Sequence, residues 1–275
     1  MYKTFIFLIR LILGMSLGLL FLVDNTLAVD GVIEINQIRA DAGGITFEDT
    51  AGFPVTISQS GSYVLTSNLD VPAGTEGIFI TTPDVSIDLN GFTIAGNGGD
   101  RGHGISSVEA GLNGRITLRN GVVRSMGNYG IYVGDQSLVE GIHAYDNGGV
   151  GINAGLGSTV SGNTARLNGY DGINTGPGST VSRNTAQLNG YDGIYTSLGS
   201  TVSENTVYNN GGDGIFVSDG STVSGNTVQG NDGYGLNLGN SSGYKGNVIT
   251  GNTNGTVSGG IKMGTNVCGT DTTCP

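Results

Sequence analysis

Three aspartates, Asp171, Asp192 and Asp213, recur every 21 residues, each directly before a Gly-Ile pair. Carboxylates repeated at a fixed interval could hold a hard cation such as calcium, with turn carbonyls completing its shell. Left to solvent, the same residues are ordinary Asx-turn formers. A second column at the same interval is Tyr132, Asn153, Asn174, Tyr195, Phe216 and Asn237. It mixes rings with amides, which is the chemistry of a glycan-binding groove, where a ring lies against the sugar and amides meet its hydroxyls. Two aromatics one interval apart are equally an ordinary cross-strand packing pair. A third column, Thr159, Thr180, Thr201 and Thr222, has β-propensity as a sufficient cause. Chemistry of turnover is harder to find. His103 and His143 are isolated, no adjacent Asp pair occurs, and no Ser-His-Asp or Cys-His set assembles.

Residues 21 apart cooperate only if the chain returns to the same place every 21 residues. From Gly151 to Tyr234 it does so four times: GINAGLGSTVSGNTARLNGYD, GINTGPGSTVSRNTAQLNGYD, GIYTSLGSTVSENTVYNNGGD, GIFVSDGSTVSGNTVQGNDGY. Looser copies begin at Gly130 and Gly235, and stretched ones at Gly77 and Gly104. A period in this range marks a solenoid, whose units bury their apolar sides only against neighbours. Ile152, Val160 and Ala165 each head an apolar column, so every repeat offers three short segments rich in Val, Ile and Thr, separated by Gly, Asn, Asp and Ser. That is the pattern of strands joined by turns, and no window carries a helical period. The expected fold is all-β: a parallel β-helix of 21-residue coils with three short strands per coil and rungs about 4.8 Å apart. Alternation along the first strand points Ile152 inward and Asn153, with its column, outward. At rung spacing the three aspartates repel one another by about 1 kcal/mol in water. The columns headed by Asn163 and Asn147 are expected to stack, each amide donating to the next, and to supply left-handed turn residues.

The stretch DVSIDLNGFTIAG at Asp84 to Gly96, the Gly-Ile rung openings, the STVSxNT rungs and the closing GYKGNVITGN resemble right-handed parallel β-helix proteins of the pectin-lyase-like group. The likeness runs from roughly Gly77 to Gly260. It implies a right-handed coil, and it spans lyases, glycosidases, adhesins, phage tail proteins and periplasmic copper-accessory proteins, so it implies no one activity. The polygalacturonases of the group carry an Arg-x-Lys segment; this chain has Arg115-Ile116-Thr117 instead. Whether the chain is an enzyme stays open.

Residues 1–28 read as a secretory signal peptide: Lys3 and Arg10 in the basic opening, the 13-residue apolar run Leu11–Val23, and small residues ending at Ala28. The rival is an uncleaved anchor, although Arg10 leaves too short a stretch to span a bilayer. Residues 29–76 are expected to form an N-terminal cap and first irregular coil, 77–254 the rungs, and 255–275 a C-terminal cap. Cys268 and Cys274, the only cysteines, are expected to form a disulfide there in an exported chain. Lys3, Arg10 and Asp24 leave with the signal, so 9 basic and 21 acidic side chains remain, a net charge of −12. Such a surface argues against nucleic acid and against acidic glycans unless cations bridge them.

The expected role is a secreted, periplasmic or cell-surface bacterial protein that binds an extracellular polysaccharide or cell-surface glycan along the first-strand face, or serves structurally. The alternatives are a polysaccharide lyase or glycoside hydrolase, and a periplasmic metal- or partner-binding factor. No cofactor is required by the sequence, and calcium is the one the aspartates suggest.

Register gives the first prediction. Deleting Gly172 to Asp192 removes one whole rung and rejoins every column to its own kind, so circular dichroism and melting should report a shorter folded rod. Deleting one residue fewer puts polar side chains where apolar ones belong and should abolish the cooperative melt.

Overall fold

The computed structural model describes residues 31–99, 101–107, 114–269 and 274. One turn of the coil is typified by the strands Ile173–Thr175, Thr180–Ser182 and Thr185–Gln187. Each pairs in parallel with its copy one repeat on: Ile173 with Ile194, Thr180 with Thr201, Thr185 with Thr206. Short β-branched segments bounded by Gly and Asn cannot continue in one direction, and the sheet they form is a solenoid of about 10 turns. The first-strand column runs in register from Val55 through Ile78 and Ile105 to Leu236 and Val257.

Coiling therefore begins before Gly77. Val55–Ile57, Gly61–Leu65 and Leu69–Val71 pair with the strands beginning at Ile78, Val85 and Thr93, so this stretch is already a complete turn. The cap proper lies upstream of it and includes a six-residue helix, Gln37–Ala42, too short to show a period in the sequence. Each of the three strands of the first turn has its outer edge met. Ile33–Ile35 pairs with Gly61–Leu65, the Gln37 side-chain carbonyl accepts from the Asp70 N–H at 2.8 Å, and the Asp49 carboxylate accepts from the Thr56 N–H at 2.7 Å. Thr46 completes the arrangement by donating to the Thr56 carbonyl at 2.7 Å. Bare strand edges would otherwise recruit other chains. At the far end Gly255–Lys262 and Val267–Cys268 add the last strands, and Cys268 is bonded to Cys274 with Cα atoms 5.2 Å apart.

Apolar side chains fill the interior, with the Ile173, Val181 and Ala186 columns at 0% exposure. Between them run two asparagine ladders, and Asn184 shows how complete their bonding is. Its Oδ1 accepts from the Asn163 N–H at 2.9 Å and the Asn163 amide at 3.0 Å, while its Nδ2 donates to Asn205 Oδ1 at 3.0 Å and to the Val160 carbonyl at 2.9 Å. The second ladder repeats the scheme through Asn147, Asn168, Asn189 and Asn210. A third, of buried serines, links Ser137, Ser158, Ser179, Ser200, Ser221 and Ser242, each hydroxyl from Ser158 onward accepting the N–H of the serine one rung earlier.

The left-handed turn residues are not the asparagines of these ladders. They are the residues just before them, Arg183 at φ 56° and Leu188 at φ 56°, because an inward ladder residue must keep strand-compatible dihedrals while its neighbour makes the bend. The glycine opening each rung answers to proximity instead. A Cβ on Gly172 would lie 2.6 Å from the Asn189 amide nitrogen and 2.7 Å from the Gly193 carbonyl oxygen.

Among the described residues two buried side-chain groups have no hydrogen-bond partner, the hydroxyls of Thr175 and Thr196 on the inward side of the first strand. Asn184 and Thr196 should therefore respond oppositely. Asn184→Ala orphans ladder groups on both sides and should cost at least about 2 kcal/mol, whereas Thr196→Val removes an unpaired hydroxyl and should be neutral or stabilising by up to about 1 kcal/mol. Urea midpoints of the two variants check this.

Candidate functional site

The first-strand face carries the outward column Tyr132, Asn153, Asn174, Tyr195, Phe216 and Asn237, all half-buried. Beside it, in the turn entering each strand, stand Asp171, Asp192 and Asp213. Their carboxylates form a ladder of their own: Asp171 Oδ1 accepts the Asp192 N–H at 3.1 Å, Asp192 Oδ1 the Asp213 N–H at 2.7 Å, and Asp213 Oδ1 the Tyr234 N–H at 2.6 Å. The column that the sequence leaves open between a cation site and Asx-turn residues forms, in geometry, a set of rung-to-rung hydrogen bonds. Among the described residues no three His, Cys, Asp or Glu side chains are placed to hold a metal ion.

The second carboxylate oxygens differ from rung to rung. Asp171 Oδ2 accepts the Asn174 amide at 2.9 Å, and Asp213 Oδ2 accepts the Asn237 amide at 2.7 Å. Asp192 lies between them, where the outward positions of its own rung and the next are Tyr195 and Phe216. The two rings stack with centroids 4.8 Å apart and planes 3° from parallel, and neither carries an amide. Burial, opposed by the Asp213 N–H and reinforced by the flanking Asp171 and Asp213 charges, pushes the Asp192 carboxyl up to about 6. Burial also raises Asp171, against the pull of Asn174 and the Asp192 N–H.

Two further aromatics border this place. Tyr170 and Tyr191 stack at 5.2 Å and 5°, and they are 53% and 57% exposed. Their sequence signal is the LNGYD ending shared by two consecutive repeats. On the other border a shallow groove of about 270 Å³ is lined by Leu198, Phe216, Ser218, Asp219 and Asn237, among others. Phe216, Asp219 and Asn237 therefore line one groove.

His103, isolated in the sequence, is not isolated in space. It precedes the rung-opening Gly104 as Asp171 precedes Gly172, and its ring lies 5.2 Å from Tyr129 and 5.6 Å from Tyr132. Its Nδ1 accepts the Tyr129 N–H at 3.3 Å, and the Ser106 hydroxyl nearby donates to Glu76 at 2.7 Å. The insertions that lengthen these coils break the 21-residue spacing, which hid the shared column. Arg115 is engaged elsewhere, paired through two nitrogens with Asp84 at 2.6 and 2.8 Å.

A family model described as a right handed beta helix region matches residues 103–254. The chain belongs to that family. Solved structures sharing the right-handed β-helix include the Dettilon tailspike protein, with a TM-score of 0.61 at 18% identity, over 73% of this chain and 46% of the tailspike. Another is the periplasmic alginate epimerase AlgG, at 0.54 and 15%, covering 85% of this chain and 82% of that one. A third is ORF18 of Geobacillus virus E2, at 0.56 and 16%, over 77% and 50%. At these identities the likeness is one of fold, and this chain spans less than half the tailspike. No match is found among curated proteins. Residues 1–28 lie outside the described residues; among the described ones no helix is long and apolar enough to cross a membrane.

The raised Asp192 carboxyl gives a signed prediction. The folded state keeps a proton that the unfolded chain releases as pH rises from about 4, the ordinary carboxylate value, to about 6. Stability from this residue is therefore complete below that window and is lost as pH rises through it. Asp192→Asn preserves the acceptor for the Asp213 N–H and removes the charge. It should melt above the parent protein at pH 7.5, with the gap closing towards pH 4.

Proposed function

We propose that this is an exported glycan-binding β-helix, and that an extended neutral polysaccharide lies across the rungs of the first-strand face. The observation that carries the reading is the groove beside Phe216, where a ring continuous with Tyr195 meets Asp219 and Asn237 at the surface. Sugars present an apolar ring face and a rim of hydroxyls, so a site for them needs a nearby ring with acceptors and donors on either side. Side chains repeated at rung spacing suit a repeating polymer better than a compact metabolite. Tyr170 and Tyr191 widen the platform, and their exposure has no use in the core. The acidic balance, −11 for the whole chain, favours a neutral polymer over a uronate chain. That one structure of the same fold is named for alginate supports polysaccharide as the ligand class and nothing finer.

The test is affinity electrophoresis of the purified protein through gels containing neutral and acidic polysaccharides, read a second time for newly released chain ends. Replacing Tyr195 and Phe216 together by Ala should abolish retardation by the neutral polymer. The melting temperature should fall by only a few degrees, since a cross-strand aromatic pair contributes about 1 kcal/mol. Absence of retardation for the unmodified protein on every polymer, or a double variant that unfolds while folded molecules bind as before, assigns the rings to packing.

A further inference from the structure

The first-strand face holds a second group of rings, three rungs away from Tyr195. In the outward column Tyr132 pairs with Asn153, Asn153 with Asn174, and Asn174 with Tyr195. At the spacing of paired strands this places Tyr132 about 14 Å from Tyr195 along the axis. Around Tyr132 the rings of His103 and Tyr129 are in mutual contact, with centroids 5.2 to 5.6 Å apart. Ser106, the register partner of Tyr132, is buried and donates to Glu76. Three half-buried rings thus meet on the face that already carries the Tyr195–Phe216 stack, with the Glu76 carboxylate nearby and held by the buried Ser106 hydroxyl.

The state of His103 follows from its bonding. A backbone N–H aimed at Nδ1 requires a lone pair there, so the neutral ring keeps its proton on Nε2. Burial lowers the His103 pKa further, against the pull of Glu76. The imidazole is consequently a neutral donor at physiological pH, suited to a sugar hydroxyl, with Glu76 as the acceptor beside it.

We propose that His103, Tyr129 and Tyr132, with Glu76, form a second sugar station, and that the protein binds its glycan at two stations joined by the amides of Asn153 and Asn174. The inference rests on the reading of this face as glycan-binding. It adds a length requirement: a chain too short to bridge about 14 Å engages one station only, whereas a longer one gains the second as an intramolecular event at high effective concentration.

The experiment is calorimetry with graded β-1,4-linked gluco-oligosaccharides from about two to about eight units, extended to oligomers of any other neutral polymer that the gels retain. Affinity should rise by a step of about tenfold or more when the chain becomes long enough to bridge, rather than gradually. Tyr132→Asn installs the residue found on the next two rungs, so the strand is kept and the ring lost. It should erase the step and lower the number of short chains bound per molecule from two to one, and Tyr195→Ala with Phe216→Ala should likewise remove the short-chain site at the other station. Tyr129→Val, matching Val150 one rung on, is a second variant with the same expected result. A smooth length dependence, or a step that survives both substitutions, overturns the second station while glycan binding itself stands. If no oligosaccharide or polymer binds at all, both readings fall.

Discussion

The interaction on which the rest of the molecule depends is the bond between asparagine side chains on successive rungs. A β-helix exposes no continuous hydrophobic sheet to a partner layer; its polar turn residues must be buried at the corners, where an unpaired amide costs about 1 to 3 kcal/mol. Asn184 avoids that cost by making four bonds, two through each end of its amide, to residues on both neighbouring rungs. Because each ladder member needs one above and one below, the arrangement forces register over the whole run from Asn147 to Asn252. Register in turn is what turns a column of letters into a surface.

That constraint explains why the face proposed to bind glycan is built from exceptions. Where the outward position is Asn, as at Asn174 and Asn237, the amide donates to a neighbouring aspartate. Where it is Tyr195 and Phe216, the rings pair with one another, Asp192 loses an amide partner, and a groove opens towards Asp219. Departures from the repeat thus mark the proposed site more clearly than the repeat does. The same holds for His103 and Tyr129, which end coils of irregular length and meet Tyr132 on the first regular one.

Much of the fold was legible because a 21-residue period carries its own proof: each column repeats one residue type, and only a parallel coil stacks them. The inward isoleucines and the stacked asparagines could be read directly. Less visible were features set by contacts distant in sequence. The Gln37–Ala42 helix is too short for periodicity and exists to cover the Leu69–Val71 edge. The bend residues Arg183 and Leu188 carry no compositional signal, since neither favours a left-handed turn. At the face, the outward column was readable from alternation. The aspartate hydrogen bonds were not, because spacing gives proximity without direction, and charge repetition alone suggests a cation as readily as a ladder. The His103 cluster was hidden by insertions that shift the count.

The central claim is that one face of the coil, the first-strand face, is where a glycan lies. Hydroxyl-radical footprinting in the presence and absence of a retained neutral polysaccharide tests it most directly, since tyrosines report from several sides of the same molecule. The account predicts that Tyr170, Tyr191, Tyr195 and Tyr132 lose reactivity on binding, while Tyr145 and Tyr208, on the third strand of their rungs, do not. Protection of Tyr145 and Tyr208 with the first-strand tyrosines unchanged would contradict it.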